Sequence, residues 1–210
     1  MIATLLIAMA AGCASALMFA SIISGASISL LLCYLAPLPL MVAALGWGPL
    51  SATIGGIAAA TVLGAIFGLP YCIAFVVSTA LPAWWLGHLA LLGRPIVPGI
   101  TPANRDADLE WYPVGRILLW IVVFASVITT AALFTLGSDG PSIVAAMRSA
   151  WTRFLELAGV AASDRTIDAL VTLAPITAVI FIMTMLTLNL WLAAKITATS
   201  GRLHLSLIHI

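Results

Sequence analysis

"PLSATIGGIAAATVLGAIFG", residues 49–68, contains no charged side chain and shows no alternation of polar with apolar residues. A stretch of this length matches the roughly 20 apolar residues that a helix needs to cross about 30 Å of hydrocarbon. Proline opens it, where a missing N–H goes unused at the first turn of a helix, and glycine closes it. The surroundings are of the same kind: the first formal charge in the chain is Arg94. A soluble core cannot run that far without a charge. Over the 210 residues, hydrophobic side chains make up 63% and charged ones 7%, against about a quarter charged in ordinary globular domains. The sequence therefore predicts an all-α membrane protein, a polytopic helical bundle.

Glycine and proline divide the apolar run into spans of about 3–25, 36–47 (opened by "PLP" and stopped at "GWGP"), 49–68 and 70–92. Residues 93–112, rich in proline and in the early charges, read as a loop. Two further spans are expected over 113–136 and 166–195, making six. Between these last two, "PSIVAAMRSAWTRFLELAG" repeats Ile143, Val144, Met147, Trp151, Phe154, Leu155 and Ala158 at helical spacing. Arg148, Ser149, Thr152, Arg153 and Glu156 fill the opposite side. The pattern predicts an amphipathic helix over about 141–159, capped by Ser138 or Asp139, lying at the membrane interface. An ordinary surface helix would have the same pattern. The six spans and this helix are expected to form a single domain over 1–203.

Basic residues near span ends set orientation. With the N-terminus cytoplasmic, Arg94, Arg105, Arg116, Lys195 and Arg202 lie inside, and Arg148, Arg153 and Arg165 outside. Most of the tryptophans would then sit near the cytoplasmic interface. "AAGCASA" near the start resembles a signal-peptide cleavage region, but no basic residue precedes it and the apolar run continues, so a retained helix is expected. Cys13, Cys33 and Cys72 all fall in apolar segments, as reduced thiols acting as small hydrophobes do. The net charge of +1, with no basic cluster, gives no basis for a nucleic-acid partner.

Small residues recur at every fourth position in two spans: Ala8, Gly12, Ala16, Ala20 and Ser24 in the first, and Ala52, Gly56, Ala60, Gly64 and Gly68 in the third. Residues four apart share a helix face, so each series forms a smooth strip on which another backbone can pack closely. The third-span strip is expected to pack inside the bundle. The first-span strip has two readings, internal packing or a surface that faces a partner protein. Asn189 is the most polar side chain well inside a span and can hydrogen-bond to a neighbouring helix or to a ligand. Tyr34, Tyr71, Trp151 and Asn189 are candidate ligand-lining residues, although aromatic rings at span ends are also ordinary interface anchors.

Chemistry is expected to be absent. The sequence has no G-x-x-x-x-G-K-[ST] loop for nucleotide phosphates, no H-E-x-x-H and no His/Cys/Asp cluster with metal-ligand spacing. The spans carry no mid-membrane carboxylate or lysine of the kind that relays protons or ions. No catalytic residue, metal site or cofactor is predicted.

The run "PLPLMVAALGWGPLSATIGGIAAATVLGAIFG" (37–68), followed by "LPAWWLGHLALLGR" (81–94) and "NLWLAAKITATSGRL" (189–203), resembles the YybS-like family of bacterial membrane proteins. That family is in turn similar to the S-components of energy-coupling-factor transporters. The resemblance covers most of residues 1–203 in layout and rests on glycine, proline and small-residue spacing. It implies a six-helix bundle in the bacterial inner membrane that binds a small solute from outside. It also implies that a first-helix strip, here Ala8, Gly12, Ala16 and Ala20, docks on a transmembrane coupling subunit carrying separate ATPases. Replacing Gly12 and Ala16 together by leucine is then expected to abolish that association while the bundle stays folded. The rival function is a non-transporting membrane scaffold that organises envelope proteins. Family members continue beyond the sixth span. The last six residues, "LSLIHI", are what one frame of a sequencing-transposon end, CTGTCTCTTATACACATC, encodes. Native sequence is accordingly expected to end near Leu203, with 204–210 a non-native tail on a truncated chain.

Overall fold

A computed structural model describes residues 2–95, 109–161 and 163–201. Helix α1 (Ile2–Ala20) runs into a 3-10 turn over Ser21–Ser24 and is followed by α2 (Ser27–Leu35), α3 (Pro37–Trp47) and α4 (Pro49–Phe67). Next, α5 (Leu69–Phe75) passes through a π-helical turn (Val76–Ala80) into α6 (Leu81–Ala90). Strands β1 (Gly93–Pro95) and β2 (Leu109–Trp111) precede α7 (Val114–Leu136), α8 (Gly140–Leu157) and α9 (Asp164–Thr199). Six segments among the described residues are long and apolar enough to cross a membrane: Ile2–Ser24, Ile28–Trp47, Pro49–Phe67, Leu69–Ala90, Val114–Leu136 and Asp164–Thr199.

Proline and glycine set most of the breaks. Pro37, Pro49 and Pro70 lie in the first turns of their helices, where no intrahelical donor is needed. Gly48 and Gly68 each have φ 91°, with ψ 161° and 169°, a backbone region that is essentially closed to residues with a Cβ. They let α3, α4 and α5 follow one another with single-residue connections.

The structure departs from the sequence reading at the second span and at the loop. The second span begins earlier than residue 36, because α2 extends it back to Ser27. The expected loop over 93–112 is closed at its base by β1 and β2. These pair antiparallel with Gly93 opposite Trp111 and Arg94 opposite Glu110, and the Tyr112 N–H donates to the Leu92 carbonyl at 2.9 Å. Of the predicted tail, residues 204–210 lie outside the described part.

Where a single domain is expected over 1–203, the chain falls into two compact units. The described parts of Met1–Ile121 and Met185–Ile210 form one, and Val122–Thr184 the other. In the first, α1 lies along α4, and α3 packs on α1, α4 and α6. Its centre is Ala8, Leu40, Met41, Ala44, Phe75 and Leu86, all fully buried or nearly so. The second unit has a small core of its own, in which Met147 of α8 meets Ile167 and Val171 of α9, flanked by Leu133, Ile143, Trp151 and Leu155. The cap of α8 is Asp139, whose N–H donates to the Ser142 hydroxyl at 3.3 Å. Arg148 joins α8 to α9 by ion pairs with Asp164 (3.4 Å) and Asp168. Val144 and Phe154, predicted on the apolar face of α8, stay exposed; the packed stripe is the narrower one of Ile143, Met147, Trp151 and Leu155.

Candidate functional site

A concave feature of the first unit is built on the antiparallel hairpin of α4 with α5–α6, which turns at Gly68. Two glycines of α4, eight residues apart, meet residues eight apart on the returning helix of the hairpin. A Cβ on Gly64 would stand 3.1 Å from the Cys72 Cβ, and one on Gly56 would stand 3.3 Å from the Ala80 Cβ. Continuing this register one step brings Ala52 level with Trp84, and an intermediate step brings Ala60 level with Val76. Along the seam lies a groove of about 280 Å³. Ala52, Gly56 and Ala60 form its floor, with Ile57, Val76 and Leu81 among its walls and Trp84 at one end.

The groove is apolar because its few polar groups are already engaged. The Thr53 hydroxyl donates to the Pro49 carbonyl (3.0 Å) and the Thr61 hydroxyl to the Ile57 carbonyl (2.8 Å). Both are back-bonds within α4. On the opposite wall, the π-helical turn precedes Pro82, which cannot donate to the carbonyl one turn earlier. The extra residue in that turn widens the helix where Val76 and Ala80 face the floor.

Aromatic rings cluster beyond the Trp84 end. Trp84 stacks on His88 with centroids 6.2 Å apart and planes at 9°. Trp85 lies 5.5 Å from Trp84 and meets Trp120 of α7 edge-on at 5.1 Å. One turn before Trp120, the Arg116 guanidinium stands over the Tyr112 ring at 6.0 Å. The Trp85 indole N–H is buried and has no acceptor among the described residues.

The residues singled out from sequence fall in different places. The strip expected to face a coupling partner is covered by the chain itself: Ala8, Gly12 and Ala16 are buried, and Ala20 is half-buried. A Cβ on Gly12 would collide with the Gly55 backbone, and one on Gly55 would collide with the Ala8 carbonyl. This face is the seam between α1 and α4. In the other strip, Ala52, Gly56 and Ala60 are buried at the groove, Gly64 abuts Cys72 and Gly68 makes the turn.

The four candidate ligand-lining residues do not line the groove. Asn189 is fully buried, and its amide N–H groups donate to the Tyr34 and Met185 carbonyls, each at 2.8 Å. Tyr34 thus meets Asn189 through its backbone, near the end of α2, where helical carbonyls lack donors. The Tyr71 ring lies 5.4 Å from Phe67. Trp151 belongs to the second unit, edge-on to Phe154 at 5.8 Å. Among the described residues, no group of three or more His, Cys, Asp or Glu side chains is placed to hold a metal ion.

Sequence reasoning missed Gly55, Val76, Ala80 and Trp84 as members of these contacts. The tandem Gly55-Gly56 was the available signal: adjacent glycines on one helix present bare backbone to two neighbours, here α1 and the π-helical turn. Compared with known proteins, the chain matches no family model, no curated protein and no solved structure.

Proposed function

We propose that this chain is a polytopic integral membrane protein that binds a small, largely apolar solute in the groove between α4 and α5–α6. In this reading it works in the manner of an S-component, taking the energy for release from partner ATPases. It resides in a bacterial inner membrane with its N-terminus in the cytoplasm. The observation that carries the reading is the groove itself, about 280 Å³, with its hydroxyl groups committed to backbone carbonyls. Such a site holds its ligand by the fit of apolar walls, with few polar groups to fix orientation. Borrowed energy is supported by the sequence, which has no phosphate-binding loop and no charged residue at mid-span to couple to protons or ions. With Ala8, Gly12 and Ala16 packed against α4, a coupling subunit would have to dock on another face.

The test is to purify the protein from membranes in mild detergent, extract it with organic solvent and identify what co-purifies. A stoichiometric small molecule, lost when the groove is filled by Ile57→Trp, supports the proposal; an empty extract from wild type and variant alike rejects it. A non-transporting scaffold is the second reading. It is favoured by the small-residue floor of the groove, on which the helix of another membrane protein could pack. Under that reading the same purification yields envelope proteins in place of ATPases.

A further inference from the structure

We infer that the occupant of the groove is one hydrocarbon chain of a membrane phospholipid, drawn from the leaflet at the Trp84 end of the hairpin. This rests on the reading of the groove as a ligand site and specifies the ligand class.

Three observations carry it. The first is length and position. On α4 the lining runs from Ala52 to Thr61, about 14 Å at 1.5 Å per residue, close to half of the roughly 30 Å hydrocarbon thickness. Ala52 lies in the first turn of α4 and Thr61 lies past its middle, so the groove occupies one leaflet's depth and runs along the helix axes as lipid chains do. The second is chemistry: Ile57, Val76 and Leu81 present apolar walls and the threonine hydroxyls spend their donors on α4 carbonyls, which suits methylenes and leaves a polar solute only the hydroxyl lone pairs. The third is what lies beyond the open end. Trp84 and His88 are stacked there, amphipathic rings of the kind that sit at headgroup depth. From Trp84 the ring contacts lead through Trp85 to Trp120, and one turn before Trp120 on α7 is the exposed Arg116. Its guanidinium is a fit partner for a lipid phosphate.

The full-length protein, reconstituted in nanodiscs of phosphatidylethanolamine and phosphatidylglycerol with a trace of phospholipid carrying an acyl-chain diazirine, tests the inference. After illumination, adducts are mapped by peptide mass spectrometry. The expected result is about tenfold enrichment at Ile57, Thr61 and Val76 over Leu119, an exposed apolar position outside the groove; this corresponds to a preference of about 1.4 kcal/mol. Two variants, Ala60→Leu at the floor and Ile57→Trp at the exposed wall, should each return the remaining groove adducts to the Leu119 level. The second keeps the test valid if the first does not fold. Uniform labelling, or labelling that ignores Ile57→Trp, overturns the inference. So does a groove blocked by the helix of another protein. If the groove is unlabelled and the solvent extract contains a non-lipid molecule, the acyl-chain assignment fails while the solute-binding function stands.

Discussion

Gly12 of α1 lies directly against Gly55 of α4: a Cβ built on Gly12 would come 2.8 Å from the Gly55 carbonyl carbon and 2.9 Å from its Cα. Both obstructing atoms are backbone, so no side-chain rotation can make room. In lipid, where apolar burial gives little drive for helices to associate, this close approach is what holds α1 to the bundle. Gly12→Leu should therefore destabilise the protein by about 3 kcal/mol, the upper end of ordinary overpacking. The neighbouring Cys13 is exposed, and Cys13→Leu should be close to neutral. Unfolding by SDS titration in mixed micelles measures both. The Gly12→Leu, Ala16→Leu double variant should unfold along with the single one, contrary to the expectation for a strip free to dock a partner.

Asn189 fastens the last span to the break between α2 and α3. Its two amide donations go to the Tyr34 and Met185 carbonyls. Removing the amide leaves the Tyr34 carbonyl without that donor. Asn189→Leu should cost about 1–2 kcal/mol, in the range of the stronger interhelical hydrogen bonds measured in membranes. Asn189→Asp should cost more, because a carboxylate would face two carbonyl oxygens instead of donating to them. The same unfolding assay orders the three proteins, and an aspartate variant as stable as wild type would contradict this role.

The span boundaries were legible because proline and glycine act locally: Pro49 with Gly68, and Pro70 after it, mark their helices whatever lies around them. The start of α2 was hidden, since "SGASIS" reads as turn chemistry and only the surrounding bundle makes Ser27–Leu35 helical. The β1–β2 pair was hidden for the opposite reason. Three-residue strands have no periodicity to read, and their pairing joins residues far apart in sequence. The faces of the small-residue strips were also beyond reach. Spacing by four says that Ala8, Gly12 and Ala16 share a side, but whether α4 or another protein covers that side depends on tertiary packing. The groove needed two facts no local pattern holds, the hairpin register and the π-helical turn opposite Gly56.

Arg148 of α8 reaches α9 through Asp164 and Asp168. The side chains are 40%, 91% and 60% exposed respectively, so solvent screens the pairs heavily. A double-mutant cycle on Arg148→Ala and Asp168→Ala should give a coupling of about 0.5 kcal/mol and no more than about 1 kcal/mol. That coupling should shrink as salt is raised from low ionic strength to 1 M. A coupling of several kcal/mol, or one insensitive to salt, would show that this end of α9 is shielded from water.

Glycine replacements separate backbone need from mere presence. Gly68 sits at φ 91°, ψ 169°, where a Cβ is strained whatever space surrounds it, and it makes the α4–α5 turn on which the groove register depends. Gly68→Ala should cost about 1–3 kcal/mol and should also weaken groove labelling, because Gly56 and Ala80 lose their alignment. Gly115, in the first turn of α7, has ordinary φ and nothing within 4 Å of an added Cβ. Gly115→Ala should stabilise the protein by about 0.5–1 kcal/mol, by removing glycine's excess freedom in the unfolded chain. Measured side by side, the two alanines should shift the unfolding midpoint in opposite directions. If Gly68→Ala is neutral, the turn tolerates another geometry and the one-residue connection does not set the register.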